Sequence, residues 1–225
     1  MRPGIASILV AMLVVPPTRV HVVGFDDQAP RQPPRSFSCA LTGRGRPGVW
    51  IIVKDDGAPS APNVLAQTDE DATGYRFPVC VLDTVSAADL DLSVRFKPVK
   101  GSVDQAAGVV WRYRDSDNYY LLRANALENN VVLYKVEAGK RTDLKPKGSG
   151  LFAYGKRAKV PSHAWSTLRV NAKGPLFEAY FDGDKLFEVE DRTFTAAGKA
   201  GVWTNADSVI YFDDLRIEVE RNEDP

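Results

Sequence analysis

Short stretches in which apolar and polar residues alternate, separated by turn residues, leave this chain little choice but to form β-sheets. In LSVRFKPV, Leu92, Val94 and Phe96 fall on one side of an extended backbone, and Ser93, Arg95 and Lys97 on the other. This is the period of two that a half-buried strand requires. In TLRVN, Leu168 and Val170 alternate with Thr167, Arg169 and Asn171 in the same way. Candidate strands cover 91–98, 108–113, 119–125, 131–137, 167–171, 176–181, 185–189, 201–204 and 209–219. An earlier one, 49–53, lies between the turn-rich loops 42–48 and 54–63. Asp182-Gly183 marks a hairpin, because that turn needs residues that accept positive φ. The nearest thing to a helix, 123–128, is short and runs into Asn129-Asn130. Many short strands without helices predict an all-β fold of two packed sheets, and the lack of a fixed internal period argues against a propeller or solenoid.

Composition narrows the chemistry. A hydrophobic fraction of 44% in 225 residues is enough to close a sizeable core. The 29 Lys and Arg balance 29 Asp and Glu, so no overall field exists to draw nucleic acid or an anionic surface. With only His21 and His163, a multi-histidine metal centre or a His-driven triad has little to work with. The two cysteines, Cys39 and Cys80, sit in strand-like stretches and suit either one disulfide or two quiet buried thiols.

Arg2 followed by an apolar run at 5–15 reads as a secretory signal: the run suits an h-region and is about half of what a bilayer span needs. Pro16 and Pro17 then break any helix. The expectation is a signal peptide over 1–24, one sandwich over 25–221 and a short polar tail at 222–225. The product would be secreted or periplasmic, with no transmembrane segment in the mature chain.

The block GVVWRYRDSDNYYLLRANALENNVVLYKVEAGKRTDL, then AWSTLRVNAKGPLFEAYFDGDKLFEVED and GKAGVWTNADSVIYFDDLRI, resembles concanavalin A-like and laminin-G-like domains of secreted bacterial proteins. In layout it is most similar to the 3-keto-disaccharide hydrolase domain family. The resemblance covers 90–220 well and 25–90 loosely. It implies an antiparallel two-sheet jelly-roll sandwich and a carbohydrate ligand. It does not decide between binding and hydrolysis, because many lectin-like and glycosidase-like domains share this ending.

A sugar site needs aromatic faces with planar polar groups beside them. Strand alternation puts Val109, Trp111 and Tyr113 on one face, and Tyr119, Leu121, Arg123 and Asn125 on one face of the next strand. Lys135 lies on a third strand beside Val131 and Leu133. Polar groups on partly apolar faces need partners, in the protein or in a ligand. Trp203, followed by Asn205 and Asp207, suggests an aromatic platform at a loop rim. Trp50 and Trp165 read as core anchors. The candidate binding set is therefore Trp111, Tyr113, Arg123, Asn125, Lys135 and Trp203.

For hydrolysis two carboxylates are needed across the glycosidic bond. The strand motif E-x-D-x-x-E is absent, and Glu128 is the acid nearest the polar face. Glu188 and Glu190 share a strand face after a hairpin, where exposed charge is expected. No zincin, nucleophile-elbow or P-loop pattern occurs, and no cofactor is expected. Phe25-Asp26-Asp27 mirrors Phe212-Asp213-Asp214, which makes Asp26 and Asp214 candidates to share a structural Ca²⁺. The expected partner is a carbohydrate; a protein-contact module is the remaining alternative.

Overall fold

A computed structural model describes residues 18–220. Among them there are sixteen strands and no helix. In chain order the strands are β1 Thr18–Val23, β2 Phe37–Gly43, β3 Trp50–Lys54, β4 Asn63–Gln67, β5 Arg76–Ala87, β6 Leu90–Lys100, β7 Ala106–Asp115 and β8 Asn118–Asn125. They continue with β9 Asn130–Glu137, β10 Lys140–Asp143, β11 Lys156–Arg157, β12 Ser166–Lys173, β13 Leu176–Phe181, β14 Asp184–Glu190, β15 Gly198–Thr204 and β16 Val209–Glu220. Sheet A runs β14-β13-β12-β6-β16-β4-β3, with β1 beside β16; sheet B runs β10-β9-β8-β7-β15-β5-β2, with β11 beside β9. All pairings are antiparallel. This is a concanavalin A-like β-sandwich.

The main core lies between the sheets. Leu92, Val94 and Phe96 of β6, Leu168 and Val170 of β12, and Phe212 and Ile217 of β16 meet Val109, Trp111, Tyr120, Leu122 and Leu133 of sheet B. In β6 and β12 they alternate with half-buried or exposed neighbours, as the sequence pattern requires. Strand β13 coincides with the predicted segment, and β6, β9, β12 and β16 lie within a few residues of theirs. Strand β4 falls at the end of a predicted loop. All five of its residues are buried, so it carries no alternation to betray it.

One boundary differs from expectation, and the cysteine pairing is resolved. Thr18–Val23 pairs with β16, Thr18 opposite Glu220 and Val23 opposite Leu215. The sandwich therefore takes in residues that the sequence reading assigned to the signal; TRVHVV has the alternating β-branched residues of an edge strand. The apolar run at 5–15 and the polar tail at 222–225 lie outside the described residues. Cys39 and Cys80 stand directly opposite each other on β2 and β5 and form a disulfide, Cα to Cα 4.0 Å. Cys80 is buried, whereas Cys39 is exposed at the sheet edge.

Candidate functional site

Sheet B carries a second apolar cluster on its outer face, away from sheet A. Phe77, Val79, Val81, Val110, Tyr119, Leu121, Val132, Tyr134, Val136 and Trp203 are all buried there. An outer face this dry needs a cover, and the sheet supplies it by curling. Strands β5 and β10 are five steps apart in the hydrogen-bonding order, roughly 24 Å if the sheet were flat. Yet the Arg141 guanidinium of β10 lies 4.3 Å from the Phe77 ring of β5, 4.9 Å from Tyr134 and 5.8 Å from Trp203. The Arg141 backbone N–H donates to the Tyr75 hydroxyl at 2.6 Å, and that hydroxyl donates to Gly139 O at 3.2 Å. Thr42 of β2 likewise meets Tyr119 of β8, hydroxyl to hydroxyl, at 2.8 Å. The outer face of sheet B is thus concave, and Arg141 braces it across the hollow.

Beside this filled hollow lies a polar cluster. Arg123 of β8 is 1% exposed; its Nη2 donates to Glu128 Oε2 and to Asn130 Oδ1, both at 2.7 Å. Its Nε is buried with no partner in the protein, as is Nη1 of Arg141. Asn125, two residues along, donates its side-chain amide to one oxygen of Asp104, and Asn205 donates to the other. Asp104 is held in place by Asp207, whose carboxylate accepts from the backbone N–H groups of Ser102 (2.7 Å), Val103 (3.1 Å) and Asp104 (3.0 Å). Tyr154, 46% exposed, closes the rim: its hydroxyl meets that of Tyr134 at 2.5 Å, and its ring lies 6.0 Å from the Arg123 guanidinium.

The two carboxylates flanking Arg123 are driven apart. Burial pushes the Asp104 carboxyl above its ordinary value, and Arg123 only partly offsets this. Burial also raises Glu128, but the hydrogen bond and charge of Arg123, with Asn130, outweigh it, and Glu128 ends below its usual range. Glu128 is therefore an ionised partner of Arg123 and not a poised acid. Of the two, Asp104 is the carboxyl that takes up a proton more readily.

The predicted set divides. Tyr113, Arg123, Asn125 and Trp203 do share the outer face of sheet B. Trp111 does not. A β-bulge breaks the register after Trp111, with Arg112 at φ 47, so the alternation that linked Trp111 to Tyr113 fails. Trp111 is wholly buried between the sheets, stacked on Tyr120 and edge-on to Phe177. The bulge instead turns Arg112 inward, where its guanidinium donates to Ala88 O (2.7 Å), Phe194 O (2.6 Å) and Gly174 O (2.6 Å) and ties three loops together. Lys135 also points the other way, bonding Thr193 Oγ1 at 2.8 Å and pairing with Glu137. Trp203 is not a rim residue: it is 0% exposed and stacks on Phe77, 5.4 Å between centroids, beneath Arg141. Trp50 is core, but Trp165 is only half-buried and lies 5.1 Å from Lys97 Nζ.

Of the two carboxylates suggested to share a Ca²⁺, Asp26 has a partner in the protein. Asp26 accepts from the Asn63 N–H at 3.0 Å, and Asp213, rather than Asp214, accepts from Ser60 N–H and Oγ at 2.8 and 2.9 Å. Among the described residues no group of three or more His, Cys, Asp or Glu is placed to hold a metal ion. Sequence reasoning missed Asp104, Arg141 and Tyr154. The first sits in a loop whose position depends on Asp207; Arg141 reaches the site because the sheet curls, and Tyr154 because the loop between β10 and β11 brings it onto Tyr134.

Fold and site together define a concanavalin A-like sandwich with a polar cluster on its concave sheet. Among solved structures, the chain is similar to the carbohydrate-binding module CBM66 from Bacillus subtilis, at 17% identity and TM-score 0.57 over 79% of this chain and 94% of that one. It is also similar to the cellulose-induced protein Cip1, at 14% identity and TM-score 0.56 over 81% and 90%. A third, of unknown function with a galectin-like fold from Bacillus subtilis, matches at 11% identity and TM-score 0.51, again over 81% and 90%. At these identities the likeness is one of fold. No protein-family model matches the chain, and no curated protein matches it.

Proposed function

We propose that this protein binds a carbohydrate at the concave face of sheet B. One observation carries the reading: planar polar groups (Asp104, Asn125, Asn205, Arg123, Glu128 and Asn130) gather beside the exposed ring of Tyr154. Hydroxyls of a sugar pair with such groups, and its C–H face packs on an aromatic ring. That CBM66 is named as a carbohydrate-binding module supports the reading from the side of the fold. Glycan arrays and thermal-shift screens on the full chain test it. Binding of intact sugar, lost in Asp104→Asn and Tyr154→Ala while the fold is kept, is the expected result. Binding indifferent to both substitutions would place the sugar elsewhere, and silence from folded protein would favour a protein-contact module.

Hydrolysis is the second reading, and it too rests on one observation. Asp104 and Glu128 flank the same arginine with carboxyls shifted in opposite directions, the division expected of an acid and a base. Cleaved sugar in the screen, abolished by Asp104→Asn, would select it. Export fits either reading: the apolar run at 5–15 and the Cys39–Cys80 bridge both suit an oxidising compartment. Fractionation of the producing cells tests this.

A further inference from the structure

Residues 140–159 stand apart in both charge and exposure. They hold seven Lys or Arg against the single Asp143, in a chain whose 29 basic and 29 acidic residues balance overall. At their centre is a loop that leaves the edge of sheet B after β10 and returns at β11, beside the same strand β9.

The loop is braced. Two turns shape it, Ser149 N–H on Pro146 O at 3.1 Å and Ala153 N–H on Gly150 O at 3.0 Å. Lys147 N–H donates to Glu188 O at 2.8 Å, and Lys145 Nζ reaches Ala153 O at 2.7 Å. The Tyr134–Tyr154 contact pins its return. Gly155, at φ 59, allows the close approach, because a Cβ there would lie 2.2 Å from Val131 O.

This frame holds Leu151 86% and Phe152 99% exposed. Single exposed apolar residues are ordinary. Two adjacent large ones at the tip of a braced loop are left uncovered by the described residues and are placed to bury something beyond them. Lys145 pairs with Asp143 and Lys147 with Glu188. Lys140, Lys156, Arg157 and Lys159, by contrast, are exposed and make no ion pair among the described residues. An open cleft of about 570 Å³ between loop and β14 carries Lys147, Lys156 and Lys185 on its walls.

We propose that the 144–155 loop docks the protein on an anionic lipid bilayer. Leu151 and Phe152 enter the boundary of the hydrocarbon, and the basic residues around them meet lipid phosphates. Removing two large apolar side chains from water needs an apolar phase, and basic residues next to them gain from a negative surface potential. A glycan would offer Phe152 a face to stack on but would leave Leu151 in water, so the bilayer fits the pair better.

Vesicle sedimentation of the full chain tests this, with phosphatidylglycerol–phosphatidylcholine vesicles against phosphatidylcholine alone. Binding to the anionic vesicles is expected, falling as salt rises. It should drop by about tenfold or more in L151S/F152S, and also in K156E/R157E. Because the changed side chains are exposed, circular dichroism should match wild type. In the Phe152→Trp variant, the added emission should shift to the blue on binding and be quenched by brominated acyl chains. Vesicle binding unchanged in both double variants would assign the affinity to the apolar run at 5–15 and overturn the proposal. Added emission that brominated lipid leaves unquenched would do the same. If wild type ignores vesicles but L151S/F152S loses sugar binding, the loop belongs to the glycan site instead.

Discussion

Arg123 and Glu128 form an unequal ion pair. The two side chains meet at 2.7 Å, but that of Arg123 is 1% exposed and that of Glu128 43%. Exposed pairs contribute little because water screens them, whereas removing one partner of a buried pair strands a charge. This pair lies between the two, since only the guanidinium is out of water. Glu128→Gln keeps the shape and a carbonyl acceptor but removes the charge, and should destabilise the fold by about 1–2 kcal/mol.

The pH dependence of that difference follows from the direction of the shift. Glu128 has a folded-state value below its ordinary 4.5, so its contribution is complete above pH 4.5 and is lost as pH falls through the lower, folded value. Denaturant titrations of wild type and Glu128→Gln should therefore converge on the acid side of pH 4.5. Asp104 has the opposite sign: raised above 3.8, it favours the fold when protonated and opposes it as pH rises. Asp104→Asn should accordingly stay within about 1 kcal/mol of wild type at neutral pH, one lost hydrogen bond offsetting the removed charge. A gap between wild type and Glu128→Gln that persists unchanged to low pH would show that the ion pair is not the source.

Arg141 of β10 reaches across the curled sheet to β5, and its removal should open the hollow. Its guanidinium covers Phe77 and Trp203 without any ion-pair partner among the described residues. In Arg141→Ala, water reaches Trp203. We expect a red shift of tryptophan emission that disappears when Trp203→Phe is added, and a stability loss of about 1–2 kcal/mol from the stacking contacts. No red shift would mean that the neighbouring strands alone keep the hollow dry.

How much of this is legible in the sequence follows from what each feature depends on. Alternation is a property of neighbours along the chain, so β6, β12 and β13 can be read directly, as can the shared face of Tyr119, Leu121, Arg123 and Asn125. The pattern fails at Arg112, where one bulge residue exchanges the two faces: Trp111 stays with Val109 in the core, and Tyr113 comes out on the opposite face. Nothing local announces that bulge. For Trp203 the sequence indicates the correct neighbourhood and the wrong exposure, because sheet curl, a property of all the strands of sheet B together, buries it under Arg141. The Cys39–Cys80 bridge stays open in the sequence for the same reason: it depends on the register of β2 against β5, across 41 residues of chain.

That bridge closes a loop with a sequence separation of 41, for which chain-entropy reasoning gives about 4 kcal/mol as an upper figure. Among the described residues, strand β2 lies at the sheet edge and pairs only with β5, so it has few other ties to the sheet. The double variant C39S/C80S should lose most of that stability in chemical denaturation, with hydrogen exchange rising first over 37–43. Exchange that rises uniformly instead would show that β2 does not open by itself.

Asp207 offers the sharpest separation of positioning from contact. It is 6% exposed, and its carboxylate accepts from three successive N–H groups of the loop that carries Asp104. Burial raises its carboxyl, but those bonds outweigh it and the group lies below its ordinary value. Its contribution is therefore present above pH 3.8 and is lost as pH falls through the lower folded value. Asp207→Ala frees the three donors. Ser102 and Val103 are exposed and can rehydrate, so the cost should be about 2 kcal/mol rather than the full sum of three charged hydrogen bonds. The larger effect falls on Asp104, which no longer meets Asn125 and Asn205 together. Sugar binding should then weaken as much in Asp207→Ala as in Asp104→Asn, although Asp207 is turned toward the loop and away from the ligand. Hydrogen exchange over 102–104 should rise only in the Asp207 variant. If binding survives a loop shown in this way to be loosened, Asp104 is not part of the sugar site, and Tyr154 with the arginines must hold the ligand by themselves.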